Sequence, residues 1–382
     1  MRFFILFISL FCLASTAHAL IGLNLKTIPP LTKLDLPPQA EFEKQTKLIQ
    51  YTPHNDKFLS YEMRLPESWI FNKDITNKSI DRSLSDRVLG TVARYTSPAR
   101  QYLRSFFSVD VMELPNEIGA RNWFINYVLS NGMSLEQVGT EHHNEVEALY
   151  IEVQGDITYV VRVKAIKNGP RMIFARHYLP QELYNEGYIE QAQIINSFHL
   201  INYEDTGVEP LRLHGFLDQT YFNYPESWQL KASNVKSINR MNALLFHSST
   251  NNKLDGQMNI YLTNKSLGET RSEALNYYQD KFKIEGYTLD QYIGDVPVQY
   301  HSDMKFGLTQ MYTLKPRNID MIDYELWVSF SESDGYYYII TLMTPARNAD
   351  FYTWARNEAA FKIVLNNIRQ YDDNVDLYQF IQ

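Results

Sequence analysis

Within the stretch 58–65, apolar and polar residues alternate from Tyr61 to Leu65, and Pro66 then closes the run. Such alternation puts every second side chain on one face of a strand, and a proline, having no N–H for the ladder, ends it. Trp69 follows three residues later, placed to fold back onto the apolar face. The arrangement returns downstream, where Tyr221 to Tyr224 lead into Pro225 and then Trp228. Both copies read Pro-Glu-Ser-Trp, at 66–69 and 225–228.

The flanks repeat as well. Strands are predicted at 91–95 and 104–114 in the first half, and at 243–248 and 257–263 in the second. A helix comes next in each. In the first, Asn116 is the expected N-cap, and Ala120, Trp123, Phe124, Tyr127 and Val128 recur at helical spacing. In the second, Leu275, Tyr278 and Phe282 form the stripe. Gly132 and Gly286 are the expected stops, since glycine takes the left-handed conformation without steric cost. Hairpins follow. Residues 157–166 turn through Lys167-Asn-Gly-Pro170 into 172–179, and 324–330 turn through Ser331-Glu-Ser-Asp-Gly335 into 336–343. Pro180 and Pro345 end them, and closing helices carry Tyr184, Tyr188, Ala192 and Ile195, or Trp354, Phe361, Leu365 and Ile368, on one stripe.

The expected fold is α+β: two similar domains, each an antiparallel sheet covered by a mid-domain helix and a C-terminal helix. The expected organisation is a signal peptide at 1–19, a proline-bearing lead-in at 20–40, domain 1 at 41–203, a linker at 204–212, domain 2 at 213–371 and an acidic tail at 372–382. Pro29-Pro30 and Pro37-Pro38 favour an extended lead-in, and the Gly and Pro of 203–210 interrupt the apolar periodicity.

The N-terminus sets the expected compartment. Met1-Arg2, an apolar run over 3–14 and Ala17-His-Ala19 read as a cleaved export signal. The expected location is therefore the periplasm, with secretion the second choice. No later stretch has the roughly 18 uninterrupted apolar residues of a membrane helix. The one cysteine, Cys12, lies inside the signal, so the mature chain has no thiol for a disulfide, nucleophile or metal. Net charge is −8, one unit more negative once Arg2 leaves, which disfavours nucleic acid as a partner. With 27 Tyr, 21 Phe and 5 Trp, the rings either fill half-buried strands or form a binding surface.

Candidate chemistry is sparse. His143 and Glu145, in His142-His143-x-Glu145, share a strand face and are weak metal candidates with no third ligand nearby. Asp372, Asn374 and Asp376 copy the start of a calcium loop, but Leu377 stands where it needs glycine. His247-Ser248-Ser249 brings imidazole beside hydroxyls only in sequence. The nucleophile elbow, the phosphate loop and the dinucleotide fingerprint are absent. Glu67 and Glu226 match each other in the two repeats, which suits a shared surface turn. Trp69, Trp228, Pro66, Pro225, Gly132 and Gly286 are read as structural anchors, and no cofactor is expected.

The strand ending in Pro-x-x-Trp (61–69 and 221–228), the helix stopped by glycine (Gly132, Gly286) and the terminal helix resemble the α/β/α sandwich family of photosystem II PsbP, the Ran-binding Mog proteins and bacterial DcrB. This resemblance covers nearly all of the mature chain, in two copies. It implies a binding or assembly role without catalysis, on envelope or periplasmic protein partners. Two further readings stay open: a small-ligand or glycan binder using aromatics in an interdomain groove, and a hydrolase with acidic catalytic residues.

Overall fold

The computed structural model describes residues 28–72, 90–217, 219–237, 239–248, 254–284, 288–314 and 323–371. Residues 1–27, with the expected signal and Cys12, Gly286 and the expected acidic tail lie outside the described residues, as do the side chain of Phe282 and the whole of Ser249.

The first half begins with helix α1 (Gln39–Lys44) and strands β1 (Thr46–Tyr51), β2 (Tyr61–Pro66), β3 (Ile70–Phe71), β4 (Gly90–Thr96) and β5 (Phe106–Glu113). It continues with α2 (Ala120–Ser130), β6 (Ser134–Val138), β7 (Glu145–Gln154), β8 (Ile157–Asn168), β9 (Arg171–Pro180), α3 (Tyr184–Ser197) and β10 (His199–Leu200). The second half runs β11 (Leu211–Phe216), β12 (Thr220–Pro225), β13 (Gln229–Ser237), β14 (Arg240–Ser248) and β15 (Leu254–Asn264). After them come α4 (Arg271–Ile284), β16 (Leu289–Asp295), β17 (Phe306–Leu314), β18 (Tyr324–Glu332), β19 (Tyr336–Pro345), α5 (Phe351–Asn367) and β20 (Arg369–Gln370).

The fold is α+β, and the strand order is the same in both halves. Seven strands are ordered β3-β4-β5-β9-β8-β7-β6 in one sheet and β13-β14-β15-β19-β18-β17-β16 in the other. A three-stranded sheet accompanies each, β1-β2-β10 and β11-β12-β20. Register agrees residue by residue along the long hairpins. Tyr159 faces Pro180 at the open end of one, and Tyr324 faces Pro345 at the open end of the other. All the named strand pairs are antiparallel, as short connections permit.

Two local expectations need correction. Residues 57–59 form a 3-10 turn, capped by the Asp56 side chain, so the aromatic strand starts at Tyr61. Helix α2 starts at Ala120, not beside Asn116. The Glu141 carboxylate accepts the N–H groups of Ala120 and Arg121 at 3.0 Å each, so the cap comes from a distant residue. Asn116 instead accepts a hydrogen bond from Arg356 of α5, at 2.9 Å. Gly132 ends α2 at φ +70.

The core explains how the halves join. Helix α3 and the β1-β2-β10 sheet cover one face of the first large sheet, enclosing Tyr61, Phe107, Ile173 and Phe198. Helix α2 lies on the other face and packs directly against α5 of the second half. One continuous apolar cluster therefore runs from Phe124 and Phe174 to Trp327, Phe361 and Leu342. Beyond the second sheet, α4 rests on a smaller cluster of Tyr261, Tyr278, Phe330 and Ile339. Under α2 the sheet also buries an ion pair. Arg176 reaches Asp110 at 2.7 Å, and Ser108 and Thr91 donate to the same carboxylate.

The segment between the halves is bonded to both. The Glu204 N–H donates to Asn168 Oδ1 at 2.7 Å, and the Val208 N–H donates to Glu117 Oε1. Glu209 accepts the Glu117 N–H at 3.2 Å and the Ser227 N–H at 2.7 Å, tying a loop of the first half to the Pro-Glu-Ser-Trp turn of the second.

Candidate binding cleft at the seam between the halves

Where α2 approaches the β16 end of the second sheet, the chain leaves an open cleft of about 650 Å³. Ile28, Arg121, Asn122 and Ile125 form its first-half wall. Tyr292, Glu325, Arg347, Phe351 and Trp354 are prominent in the opposite wall.

The second wall is built on a buried carboxylate. Glu325 lies on β18 facing Thr344, the position that Val160 holds opposite Leu179 in the first half. It points to the same face as Trp327, two residues on. Arg347 donates Nε to Glu325 Oε1 at 3.1 Å and Nη2 to Oε2 at 3.2 Å. The indole N–H of Trp354 donates to Oε2 at 3.0 Å, and that of Trp327 at 3.4 Å. The Arg347 guanidinium also sits 4.6 Å from the Trp354 ring centroid, and Phe351 stacks on Trp354 at 5.6 Å. Both oxygens of Glu325 are paired, which is what a charge taken out of water requires.

Across the cleft, Arg121 donates Nε to Gly139 O at 3.1 Å. Burial lowers its pKa from the usual guanidinium value, opposed by the carboxylates of Glu358 and Glu141. Asn122 donates to Glu358 of α5, so this wall is bonded to the other half. Chemically the cleft offers cations, amide groups, aromatic faces and the exposed carboxylates of Asp290 and Asp323, while its buried acid, Glu325, is already engaged.

The residues singled out in the sequence lie elsewhere. Trp69 and Trp228 are both buried, each beyond a strand-ending proline. Trp69 lies against His177, and Trp228 stacks on His247 with centroids 5.5 Å apart. Burial, with a smaller contribution from Arg356, lowers the His247 pKa to about 4, so this imidazole is a packing partner for the indole. His143 sits in a turn at φ 47, and Glu145 opens β7 and accepts the Tyr203 hydroxyl at 2.9 Å. Among the described residues no three acidic, histidine or cysteine side chains come together as a metal site. Glu226 pairs with Arg212 at 2.7 Å on the surface, while the Glu67 carbonyl accepts from Lys47. Neither lines the cleft.

Glu325 and Arg347 went unnoticed in the sequence. The available signal was an acid two residues before Trp327, within the otherwise apolar stretch 324–328, with an arginine just past the strand-ending Pro345.

No family model matches the chain, and no curated protein matches it. Among solved structures, it is similar to cyanobacterial PsbP from Synechocystis, at 15% identity over 40% of this chain and 92% of that one, with a TM-score of 0.29. It is similar to the Ran-binding protein Mog1p of Saccharomyces cerevisiae, at 9% identity over 43% and 97%, with a TM-score of 0.31. The immunity protein TplEi of T6SS from Pseudomonas aeruginosa covers more of the chain, 81%, and 94% of its own length, at 7% identity and a TM-score of 0.22. With TM-scores of this size, none of them assigns a function to this chain. Among the described residues no helix is long and apolar enough to cross a membrane.

Proposed function

We propose that this chain is a non-enzymatic binding protein of the periplasm, serving as an accessory or assembly subunit of a cell-envelope complex through the seam between its halves. The observation that carries this reading is the state of Glu325. Arg347 and two indole N–H groups occupy both of its oxygens, so the buried carboxylate holds the surrounding aromatic and cationic groups in one arrangement, as a recognition surface needs. A pre-organised surface of this kind loses little freedom when a partner docks. The apolar N-terminal run and the Ala17-His-Ala19 site support export.

A photoreactive phenylalanine analogue at position 292 of the full chain tests the reading in the native envelope. Tyr292 lies at the cleft and is half exposed. The expected result is a discrete protein adduct in the periplasmic fraction. Recovery of the chain in the cytoplasm, or illumination without any adduct, would overturn the proposal.

A second reading has its own support. The cleft sets Tyr292, Phe351 and Trp354 among Asn122, Gln291 and Asn348, a lining suited to a neutral sugar. It predicts a rise in melting temperature with oligosaccharide and no protein adduct.

A further inference from the structure

Helix α4 sits over an apolar pocket in the second half, at a place that the first half fills. Tyr261, Ile339, Phe330 and Leu308 stand opposite one another in a row across β15, β19, β18 and β17. Phe174, Ala165 and Val146 hold the places of the last three in the first half. There, Trp123, Phe124 and Tyr127 of α2 close on Phe174 with ring centroids 5.1, 6.1 and 5.4 Å away, and Val146 is buried. In the second half Ile339 takes Tyr278 from α4 into its buried cluster, Leu308 is 38% exposed, and a pocket of about 190 Å³ opens beside it.

The walls offer apolar surface and little else. Leu275 and Tyr278 come from α4, and Leu289, Phe306, Leu308 and Phe330 from the sheet. The polar atoms of the wall are engaged with one another or with neighbours. The Tyr278 hydroxyl bonds with Thr263 at 3.2 Å, the Tyr312 hydroxyl donates to Gln310 Oε1 at 3.0 Å, and Gln310 Nε2 donates to Asp295 at 3.2 Å. Such a space favours an apolar guest over water, and a cavity of about 150 Å³ lined by Leu, Ile and Phe is large enough for benzene. The Phe306 end is different. Arg271 lies 4.2 Å from the Phe306 ring centroid and donates Nε and Nη2 to Glu332 at 3.2 and 3.0 Å, which leaves Nη1 outside that pair. Lys265 approaches the same carboxylate at 3.8 Å. Two cations on one acid give this end of the pocket a net positive charge, and the guanidinium held over the ring is placed to meet an anion.

We propose that this pocket binds a small amphiphile, a phenyl-sized apolar group carrying a carboxylate, with the ring between α4 and β17 and the anion on Arg271 Nη1. Leu308, Phe330 and Ile339 bury the ring, and Arg271 sets the preference for negative charge. The site shares no lining residue with the seam cleft, so it is a second binding function of the chain and stands apart from the docking role.

Isothermal titration of the purified full chain with 3-phenylpropionate and with 3-phenylpropylamine tests the assignment. The two ligands share a ring and differ in the sign of their charge. The parent should bind 3-phenylpropionate with a dissociation constant of about 1 mM or tighter, and the amine about tenfold more weakly. R271Q should bring the two affinities together. L308E puts a charge on the wall at an exposed position, so it should melt with the parent while losing 3-phenylpropionate. No binding to the parent, equal affinity for acid and amine, a preference that survives R271Q, or unchanged binding to a folded L308E would each overturn the proposal.

Discussion

The Trp69 indole lies 5.3 Å from the His177 imidazole, centroid to centroid, with the planes inclined by 37°. His177 is buried on β9, and neither ring nitrogen has a hydrogen-bond partner among the described residues. In the second half, Trp228 meets His247, which comes from β14. The two histidines stand at different places in the repeat. At the register of His177 the second half has Leu342, opposite Trp327 as His177 is opposite Arg162.

This geometry makes the fold acid-sensitive. Burial lowers the His177 pKa from 6.5 to about 3, so the folded state refuses a proton that the unfolded chain takes up below about pH 6.5. Stability from this residue is fully present above that pH and falls as pH drops toward 3, by up to about 1.4 kcal/mol per pH unit. His177→Leu, the second half's own solution, should flatten urea-melt stability between pH 6.5 and 4 and leave or raise it at neutral pH. A parent-like slope in that variant would show that other groups carry the acid response.

The two indoles should also differ in what they hold. Trp69 belongs to the cluster confined to the first half, while Trp228 belongs to the one that crosses the seam. Truncating either to alanine should cost about 3–5 kcal/mol. Calorimetry of Trp69→Ala should split off an early transition for the first half. Trp228→Ala should lower a transition in which both halves take part.

At the cleft, Arg347 and Glu325 share a buried ion pair whose acid is almost fully enclosed. Arg347→Ala strands that carboxylate and should cost about 3–5 kcal/mol. The double change Glu325→Val with Arg347→Leu removes both charges and installs the valine that the first half carries at that register, so it should recover part of the loss, the Trp354 and Trp327 indole N–H groups being left without their acceptor. Chemical denaturation of the parent, single and double variants measures this. A double variant as weak as the single would mean that Arg347 acts through packing on Trp354.

The legible parts of the fold are those governed by neighbours in sequence. Pro66, Pro225, Pro180 and Pro345 each close a strand by lacking a donor, and the Gly169-Pro170 turn joins β8 to β9 with Gly169 at φ +56. What escaped depends on contacts across the chain. Asn116 looked like a cap because capping is usually local, but Glu141 supplies it from beyond β6. Strands β6 and β7 were missed because the His142-His143-Asn144 turn between them has no glycine. It relies on positive φ at His143 and Asn144. The cleft had no motif to find: Glu325 and Arg347 pair across 22 residues within the second half, and Arg121 joins the same lining only because α2 reaches that half.

Glu209 offers the sharpest test of whether the connecting segment is a tether or a clamp. Its carboxylate collects the Glu117 N–H from the first half, and the Ser227 N–H and hydroxyl from the second, the last at 3.1 Å. Hydrogen bonds to a charged acceptor contribute about 1.5–3 kcal/mol where water is partly excluded. Glu226, in the turn that Glu209 holds, pairs with Arg212 in the open, where solvent screens the pair and it contributes little. Glu209→Ala should therefore destabilise the chain clearly more than Glu226→Ala, and hydrogen exchange should quicken at the amides of Glu117 and Ser227 together. Added salt should erase the effect of Glu226→Ala and leave most of the other. Equal losses in the two variants, or faster exchange at only one of the two amides, would reduce the connecting segment to a passive tether.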